Sequence, residues 1–237
     1  MPFSSSIDIL PPDTNREALL ASWILEHCRS DSQVIDVGAG RGRLPFPGDI
    51  RQGVRKLVGV DPDPAISQNP FLHETHRCSV EEYALRSSER FDCAYAYMVI
   101  EHLADPIPFF KACREVLRPG GHLFAVTPNL LHYFASIAWM SGLMGIQDEL
   151  LEVLMGADVA ESYHVRARYR VNRIAKITKV LKATGFSRVE FRMLDNPSYF
   201  ESYLPSVLGV LPRVYSRSVY RMRTPALMGT ILFHAQG

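Results

Sequence analysis

The stretch that most restricts how this chain can fold is a short apolar run that leads straight into three alternate glycines. Residues 34–42 read VIDVGAGRG, so that an acid, Asp36, lies two positions ahead of Gly38. Short apolar runs are typical of buried strands, and glycines let a backbone adopt positive φ and come close to a ligand. The stretch therefore predicts a buried strand followed by a loop that approaches a small molecule.

The glycine spacing limits which small molecule the loop can hold. A dinucleotide-binding G-x-G-x-x-G pattern would need its third glycine at position 43, where the chain has Arg43. Asp36 would also repel a pyrophosphate on the same loop, whereas it suits a ligand that carries an ammonium group. A second apolar segment, residues 56–60, ends at Asp61, and an acid in that position typically binds ribose hydroxyls. The implied ligand carries an amine and a ribose, which argues against a dehydrogenase.

Three downstream segments extend this pattern. They are residues 91–102 (FDCAYAYMVIEH), 115–123 (EVLRPGGHL) and 127–129 (TPN). With the glycine loop, they make residues 34–129 resemble the class I S-adenosylmethionine-dependent methyltransferases. The resemblance implies S-adenosyl-L-methionine as the cofactor and methyl transfer to a small molecule as the reaction. The Glu-His and Thr-Pro-Asn features resemble members that modify sugars, polysaccharide precursors, quinones or secondary metabolites, so O-methylation of a sugar or glycan precursor or a secondary metabolite is expected.

The order of the predicted elements indicates an α/β fold. Strands are predicted at residues 33–37, 56–60, 75–78, 91–97, 122–127 and 187–193, and helices at about 14–28, from 80, and at 106–117 and 171–185. Such alternation gives a parallel sheet with helices on both faces, and ligands bind at the carboxyl ends of its strands. The resemblance implies a Rossmann-like, mostly parallel sheet of seven strands, with an antiparallel last strand at 229–234 and helical insertions that cover the site.

We expect a single domain over residues 1–237, because a chain of this length with 47% hydrophobic residues can bury one sizeable core. Its expected parts are an N-terminal helix (12–30), a cofactor-binding core (31–129), a variable cover (130–165) and a C-terminal part (166–237) with a helical insertion (197–223).

Three local features carry predictions of their own. Thr14 and Glu17 predict a capping box at the start of the first helix. Pro45 and Pro47 predict that any helix directly after the glycine loop is limited to a turn or less. Residues 130–146, the longest apolar segment, predict a buried or lid helix.

The resemblance also implies roles for individual residues. Asp36 would face the methionine amine, Asp61 would accept the ribose hydroxyls, and the glycine loop would let the backbone approach both parts of the cofactor. Ser79 and Val80 would neighbour the adenine, although Cys78 replaces the acid that relatives carry just before them. The expected cofactor-binding residues are Asp36, Gly38, Ala39, Gly40, Asp61, Pro62, Ser79, Val80, Tyr97 and Met98.

A catalytic base is harder to predict, because alignment of the reacting groups can supply most of the rate of methyl transfer. His102 and His164 are the candidates; otherwise His102 caps the following loop and His164 lies on a basic surface. His132 and Tyr133 either contact the acceptor or serve in packing. No metal is expected, because Met98 stands where metal-binding relatives carry an acid ahead of such a Glu-His pair.

Charge and cysteine content bear on partners and location. The net charge is +1, but residues 163–223 contain thirteen Lys and Arg against three acids, which suits an anionic acceptor such as a carboxylate or a nucleotide-linked sugar, or a solvated basic face. Nucleic acid methylation is a less favoured alternative, and a non-catalytic cofactor-binding partner protein is another. The four cysteines show no C-x-x-C pair, and no signal peptide or membrane span is evident, so a cytoplasmic protein is expected.

Overall fold

The computed structural model describes residues 3–145, 167–201, 204 and 208–237. Its strands are β1 (Ser4–Ile9), β2 (Gln33–Val37), β3 (Lys56–Val60), β4 (Glu74–His76), β5 (Phe91–Tyr97), β6 (Leu117–Pro128), β7 (Arg188–Leu194) and β8 (Thr230–Gln236). They form an eight-stranded sheet in the order β1-β7-β8-β6-β5-β2-β3-β4. Neighbouring strands pair in parallel except at β8, which runs antiparallel to both β6 and β7.

The described helices lie on both faces of this sheet. They are α1 (Arg16–Leu25), α2 (Phe46–Gly53), α3 (Val80–Arg86), α4 (Pro106–Val116), α5 (Tyr133–Met144), α6 (Ile174–Ala183), α7 (Pro197–Glu201) and α8 (Val210–Arg221). Two apolar clusters follow from this arrangement. One includes buried side chains of α3, α4 and α6, such as Phe110 and Leu181, and the other includes those of α1 and α2, such as Trp23 and Ile50. The two faces confirm the predicted α/β, Rossmann-like architecture.

The central strands read as nearly continuous apolar runs because helices cover both of their faces. In β2, Val34 and Ile35 point to opposite faces and are each fully buried, and the same holds for Leu57 and Val58 in β3. Parallel pairing brings the carboxyl ends of β2, β3 and β5 to one edge of the sheet. The glycine loop and the polar segments after β3 and β5 therefore meet at that edge.

The sheet has eight strands, so the expectation of seven is wrong by one. The additional strand, β1, pairs in parallel with β7 at the edge of the sheet. Its sequence, SSSIDI, contains only two apolar residues, and five of its six residues are exposed. Because an edge strand can remain largely in contact with solvent, its sequence lacks the apolar run that identifies the central strands. The antiparallel last strand was predicted correctly and is β8.

Two predictions about helix starts are wrong. The first helix is capped by the side chain of Asn15, which accepts a hydrogen bond from the amide of Ala18, while the Thr14 hydroxyl donates to the carbonyl of Pro11. The segment after the glycine loop forms α2, eight residues long, despite Pro45 and Pro47. Both prolines precede or lie within its first turn, where the missing amide hydrogen leaves no helical hydrogen bond unmade.

The predicted cover is described only in part. Residues 133–144 form α5, as expected of a helix there, but Ile137, Met140 and Leu143 are at least half exposed rather than buried. Residues 146–165 of the cover, including His164, lie outside the described residues. Within the described part of the chain, every helix is too short or too polar to traverse a lipid bilayer.

Candidate active site

The glycine loop is held against the end of β3 by backbone hydrogen bonds. The amides of Gly38 and Ala39 both donate to the carbonyl oxygen of Val60, at 2.8 and 3.3 Å. Gly38 and Gly40 have φ values of +78° and +50°, a region that residues with side chains rarely adopt. At Gly38 an added Cβ would also overlap the side chain of Val99. At Gly38 the loop thus follows a path that strongly favours glycine, closely covered by the turn after β5.

Asp61 closes the loop from the tip of β3. One of its carboxylate oxygens accepts a hydrogen bond from the amide of Gly40 at 2.9 Å, and the other accepts one from the amide of Asp63 at 2.7 Å. The side-chain amide of Asn69 donates to the carbonyl oxygens of Ala39 and Gly40. Each carboxylate oxygen of Asp61 retains acceptor capacity, since an ionised carboxylate can accept about four hydrogen bonds.

Asp36 is a buried carboxyl group at the edge of the same loop. Only 4% of the residue is exposed, and the hydroxyl of Tyr95 donates to one carboxylate oxygen at 2.7 Å. Burial raises the pKa of Asp36 to about 7, the Tyr95 hydrogen bond opposes that shift, and the nearby charge of Asp61 adds to it. A desolvated acid of this kind strongly favours a cationic partner.

A cavity of about 320 Å³ opens in front of these groups. Its lining combines the glycine loop with aromatic and polar side chains, and it includes Asp36, Gly38, Ala39, Gly40, Phe46, Asp63 and Tyr97. Five of the predicted cofactor-binding residues are therefore brought together around one cavity. Among the described residues, the lining does not include the other five, which are Asp61, Pro62, Ser79, Val80 and Met98. Asp61 is nevertheless tied to the cavity wall through its hydrogen bond with Gly40.

Ser79 and Val80 have structural roles at the start of α3. The Ser79 hydroxyl accepts from the amide of Glu82, and the Glu82 carboxylate accepts from the amide of Ser79, which completes a capping box. Val80 is 2% exposed and belongs to the apolar core, and Cys78 beside them is also buried. Pro62 is exposed next to Asp61. The contact of these residues with adenine stays a prediction.

A polar and aromatic cluster that the sequence did not predict lies at the carboxyl end of β5. The Tyr97 hydroxyl donates a short hydrogen bond to the carboxylate of Glu17 and accepts one from the Nε of Arg16 at 3.0 Å. The Arg16 guanidinium lies 4.9 Å from the centre of the Tyr199 ring, and the Phe46 ring lies 5.2 Å from that of Tyr97. Burial raises the pKa of Tyr97, so its hydroxyl stays protonated at neutral pH.

Met98, the last predicted cofactor-binding residue, follows Tyr97 in an unusual backbone conformation. Its φ is +54°, and its amide donates to the carbonyl oxygen of Val126 in β6 at 2.9 Å. A non-glycine residue with positive φ is uncommon and is maintained only where surrounding contacts stabilise it. The chain leaves β5 sharply at this point and turns toward the glycine loop.

The Glu-His pair occupies the short turn of residues Ile100–His102 after β5. Glu101 is buried, and it accepts a hydrogen bond from the Thr127 hydroxyl at 3.0 Å, while the Asn172 side chain donates to the same hydroxyl at 2.6 Å. Burial raises the pKa of Glu101 to about 7. This network joins the β5 turn, the end of β6 and the segment before α6, and it leaves His102 half-buried at the edge of the turn.

His132 and Tyr133 lie at the start of α5 and are not among the residues that line the cavity. His132 is 1% exposed and lies 3.3 Å from the carboxylate of Asp195, with the rings of Tyr133, Phe200 and Tyr215 around it. Both residues pack among these rings, and a contact of either with the acceptor stays a prediction.

Known proteins resemble this chain over much of its length. A family described as a methyltransferase domain matches residues 13–190. The chain is 33% identical over 133 residues to the mitochondrial ubiquinone biosynthesis O-methyltransferase of Mus musculus, a match that covers 49% of this chain and 35% of that protein. It is 32% identical over 122 residues to the ubiquinone biosynthesis O-methyltransferase of Acinetobacter baylyi, covering 47% of this chain and 50% of that one. The matches thus span half or less of these relatives.

Solved structures share the fold at low sequence identity. A SAM-dependent methyltransferase from Archaeoglobus fulgidus is 16% identical with a TM-score of 0.60, and the likeness covers 93% of this chain and 92% of that one. Phosphoethanolamine N-methyltransferase 2 of Haemonchus contortus, solved in complex with S-adenosyl-L-methionine, is 15% identical with a TM-score of 0.55, covering 95% of this chain and 53% of that one. These likenesses establish a shared architecture.

Proposed function

This chain belongs to the class I S-adenosylmethionine-dependent methyltransferases, and from that premise we propose that it methylates a hydroxyl group of a small molecule. The observation that carries the proposal is the cavity lined by Asp36 and the glycine loop, with Asp61 tied to that loop through its hydrogen bond with Gly40. Oxygen is favoured as the acceptor atom because the relatives at about one-third identity are named O-methyltransferases.

The cavity fits the proposed cofactor in chemistry and in size. Asp36 would hold the methionine ammonium. Burial raises the pKa of this acid, and the positive charge of the ammonium would favour its ionised form. Asp61 would accept the ribose hydroxyls, and Gly38 leaves room where any Cβ would collide with Val99. The volume of about 320 Å³ falls at the lower end of the range for small-molecule sites, roughly 300 to 1,000 Å³.

The cofactor supplies a methyl group that is already activated by its positively charged sulfur. What remains for the protein is to align the acceptor oxygen, exclude water and remove the hydroxyl proton. Alignment alone can lower a barrier by about 7–11 kcal/mol. The turn after β5 contributes to alignment, because its Val99 side chain lies directly over Gly38 and fixes the distance between the turn and the loop.

We assign proton removal to His102. His102 is not among the residues that line the cavity, but it lies three residues beyond Val99, in the turn after β5 that Glu101 anchors to Thr127, and this supports the assignment. A positioned general base contributes about 10²- to 10⁴-fold to rate. His164, the other candidate, lies outside the described residues and is proposed only as a residue that contacts the acceptor.

An aromatic hydroxyl is the acceptor that best suits the described surroundings. The aromatic rings of Phe46 and Tyr97 lie beside the cavity, and the Tyr199 ring lies under the Arg16 guanidinium close by. Flat rings pack well on such side chains. The relatives named for ubiquinone biosynthesis support the same choice, whereas the expected sugar or glycan acceptor gains no support beyond the sequence features that suggested it.

The first experiment measures cofactor binding by titration calorimetry with S-adenosylhomocysteine. Asp61→Ala is expected to weaken binding at least tenfold, because hydrogen bonds to charged groups contribute about 1.5–3 kcal/mol each. Asp49→Ala, which removes an exposed acid of α2 outside the cavity lining, is the matched control and should bind normally. Equal affinity of the two variants would contradict the proposed ribose site.

The second experiment measures methyl uptake from labelled S-adenosylmethionine into phenols, sugars, nucleotide-linked sugars and RNA. Transfer to phenols is the expected result, and transfer to RNA alone would refute the small-molecule proposal. With an acceptor in hand, His102→Gln should lower kcat by about 10²- to 10⁴-fold while S-adenosylhomocysteine still binds normally. An unchanged kcat would remove His102 from the mechanism.

A further inference from the structure

Three histidines converge at the edge of the sheet opposite the glycine loop. His27 follows α1, His122 lies in the first half of β6, and His234 lies in β8. One nitrogen from each ring lies within 4.8 Å of the other two. The ring centres are separated by 4.5 to 5.0 Å. Because β6 runs parallel to β2 and β5, its first half lies at their amino ends, far along the strands from the proposed cofactor cavity.

The hydrogen bond of His27 fixes which of its nitrogens can act as a ligand. Its Nδ1 lies 2.9 Å from the carbonyl oxygen of Trp23, one turn earlier in the chain. A carbonyl can only accept, so Nδ1 carries the hydrogen, and in the neutral ring Nε2 carries a lone pair. Histidines that bind metals commonly donate their second N–H to a backbone carbonyl in this way, which turns the other nitrogen toward the metal.

His122 and His234 direct nitrogens at each other. The Nδ1 of His122 and the Nε2 of His234 are 2.8 Å apart, so a proton occupies the space between two atoms that can both act as ligands. A cation at this point would replace that proton and bind both nitrogens.

We propose that His27, His122 and His234 form a binding site for Zn²⁺ or a similar borderline divalent cation. Imidazole nitrogens are ligands that zinc, nickel and copper prefer, and three protein ligands with one water make a common tetrahedral zinc site. The fourth position is available, because His27 and His122 line a separate cavity of about 490 Å³. Its charged lining comprises two acids, Asp31 and Asp92, and three arginines, with Arg118 paired to Asp92, so the three imidazoles are the groups that select the cation.

Only small movements separate the present arrangement from tetrahedral coordination. Two nitrogens bound at about 2.0–2.1 Å to one zinc ion lie roughly 3.3 Å apart. The His122–His234 pair must therefore open slightly, and the remaining separations must close from at most 4.8 Å. His27 is half-buried at the end of a helix, so its ring can make most of this adjustment. The bound cation would join the end of α1 to β6 and β8.

The test titrates Co²⁺ into untagged protein that has been stripped with EDTA. The expected result is one equivalent bound, with the visible absorption of four-coordinate Co²⁺, and displacement by Zn²⁺. His27→Gln should bind at least about tenfold more weakly. His76→Gln, which changes a histidine of β4, and Cys28→Ser, which removes the thiol beside His27, are controls that should bind as the unmodified protein does.

Imidazole NMR of the unmodified protein provides a measurement that needs no variant. One equivalent of Zn²⁺ should shift the resonances of three of the eight histidines, those of His27, His122 and His234. The proposal is overturned if no equivalent of Co²⁺ binds, if His27→Gln binds with unchanged affinity, if Cys28→Ser abolishes the absorption, or if Zn²⁺ shifts a different set of histidines.

Discussion

Replacing Gly38 by alanine should lower the free energy of unfolding and weaken cofactor binding. The loss of stability has a conformational part and a steric part. The φ of +78° costs an L-amino acid roughly 1–2 kcal/mol. The new Cβ would also overlap the Val99 side chain, and overpacking of this kind typically costs about 1–3 kcal/mol. Together these give a loss of about 2–5 kcal/mol in the free energy of unfolding.

Gly40 provides the matched control within the same loop. Its φ is +50°, but an added Cβ would meet no atom within 4 Å, so Gly40→Ala should lose only the conformational part, roughly 1–2 kcal/mol. Urea unfolding of both variants measures the difference. S-adenosylhomocysteine binding by calorimetry should be weakened more by Gly38→Ala, because relief of the overlap displaces the loop or the turn that covers it.

Val99→Ala isolates the steric part through a double-mutant cycle. In that background the cost of Gly38→Ala should fall to about that of Gly40→Ala, with a coupling of about 1–3 kcal/mol between the two sites. The reasoning fails if the two glycine variants lose the same stability, or if Val99→Ala leaves the cost of Gly38→Ala unchanged.

Three further predictions concern polar groups of the site. Asp36 has a pKa of about 7 when folded and an ordinary value of 3.8, so between pH 4 and pH 7 the folded wild type binds a proton that the unfolded chain releases, and its stability falls as pH rises. Asp36→Asn lacks this loss, so its free energy of unfolding relative to the wild type should increase by up to about 1.4 kcal/mol per pH unit across that window. The same variant should lose cofactor affinity. A constant difference between the two proteins in urea unfolding from pH 4 to pH 8 would contradict the raised pKa of Asp36. Tyr97→Phe keeps the ring beside Phe46 but leaves Glu17 and Arg16 without the hydroxyl, which should cost about 1–3 kcal/mol in urea unfolding, and a variant within about 0.5 kcal/mol of the wild type would show that the cluster contributes little. Ser79→Ala removes the α3 cap and should lower thermal stability by the equivalent of about 0.5–2 kcal/mol, whereas Ser79→Thr, which retains a hydroxyl, should lose much less.

The sequence predicted the central fold well because helices bury both faces of the inner strands. Apolar runs such as residues 34–37 leave few alternatives to a strand, and the proline-glycine segment after α4 marks the end of that helix. Edge positions lack this signal: β1 carries three serines, and its pairing with β7 depends on residues more than 180 positions away. The start of α2 was misjudged since proline interrupts a helix interior but is tolerated in a first turn.

The candidate site likewise contains residues that the sequence predicted and residues that it did not. Asp36, Asp61 and the glycines were predictable because each lies within a few residues of a strand end, so local sequence specifies their place. The cluster of Arg16, Glu17, Tyr97 and Tyr199 joins three elements, and so do the three histidines, with no spacing that a sequence pattern could reveal. Such groups become visible only when the strand order is known.

The position of β8 between β6 and β7 affects the order in which the strands can pair during folding. β8 is the last strand in the described chain, yet β7 and β1 reach the rest of the sheet only through it, in a ladder that joins residues as distant as His122 and Gln236. Pairing of such distant residues requires closure of a long loop before any contact energy is gained, which slows folding. During synthesis, β2 to β6 can pair early, whereas β1, which precedes them in the chain, has no partner in the sheet until β7 and β8 have left the ribosome. Before then β1 is unpaired, and its exposed serines would disfavour aggregation with other chains.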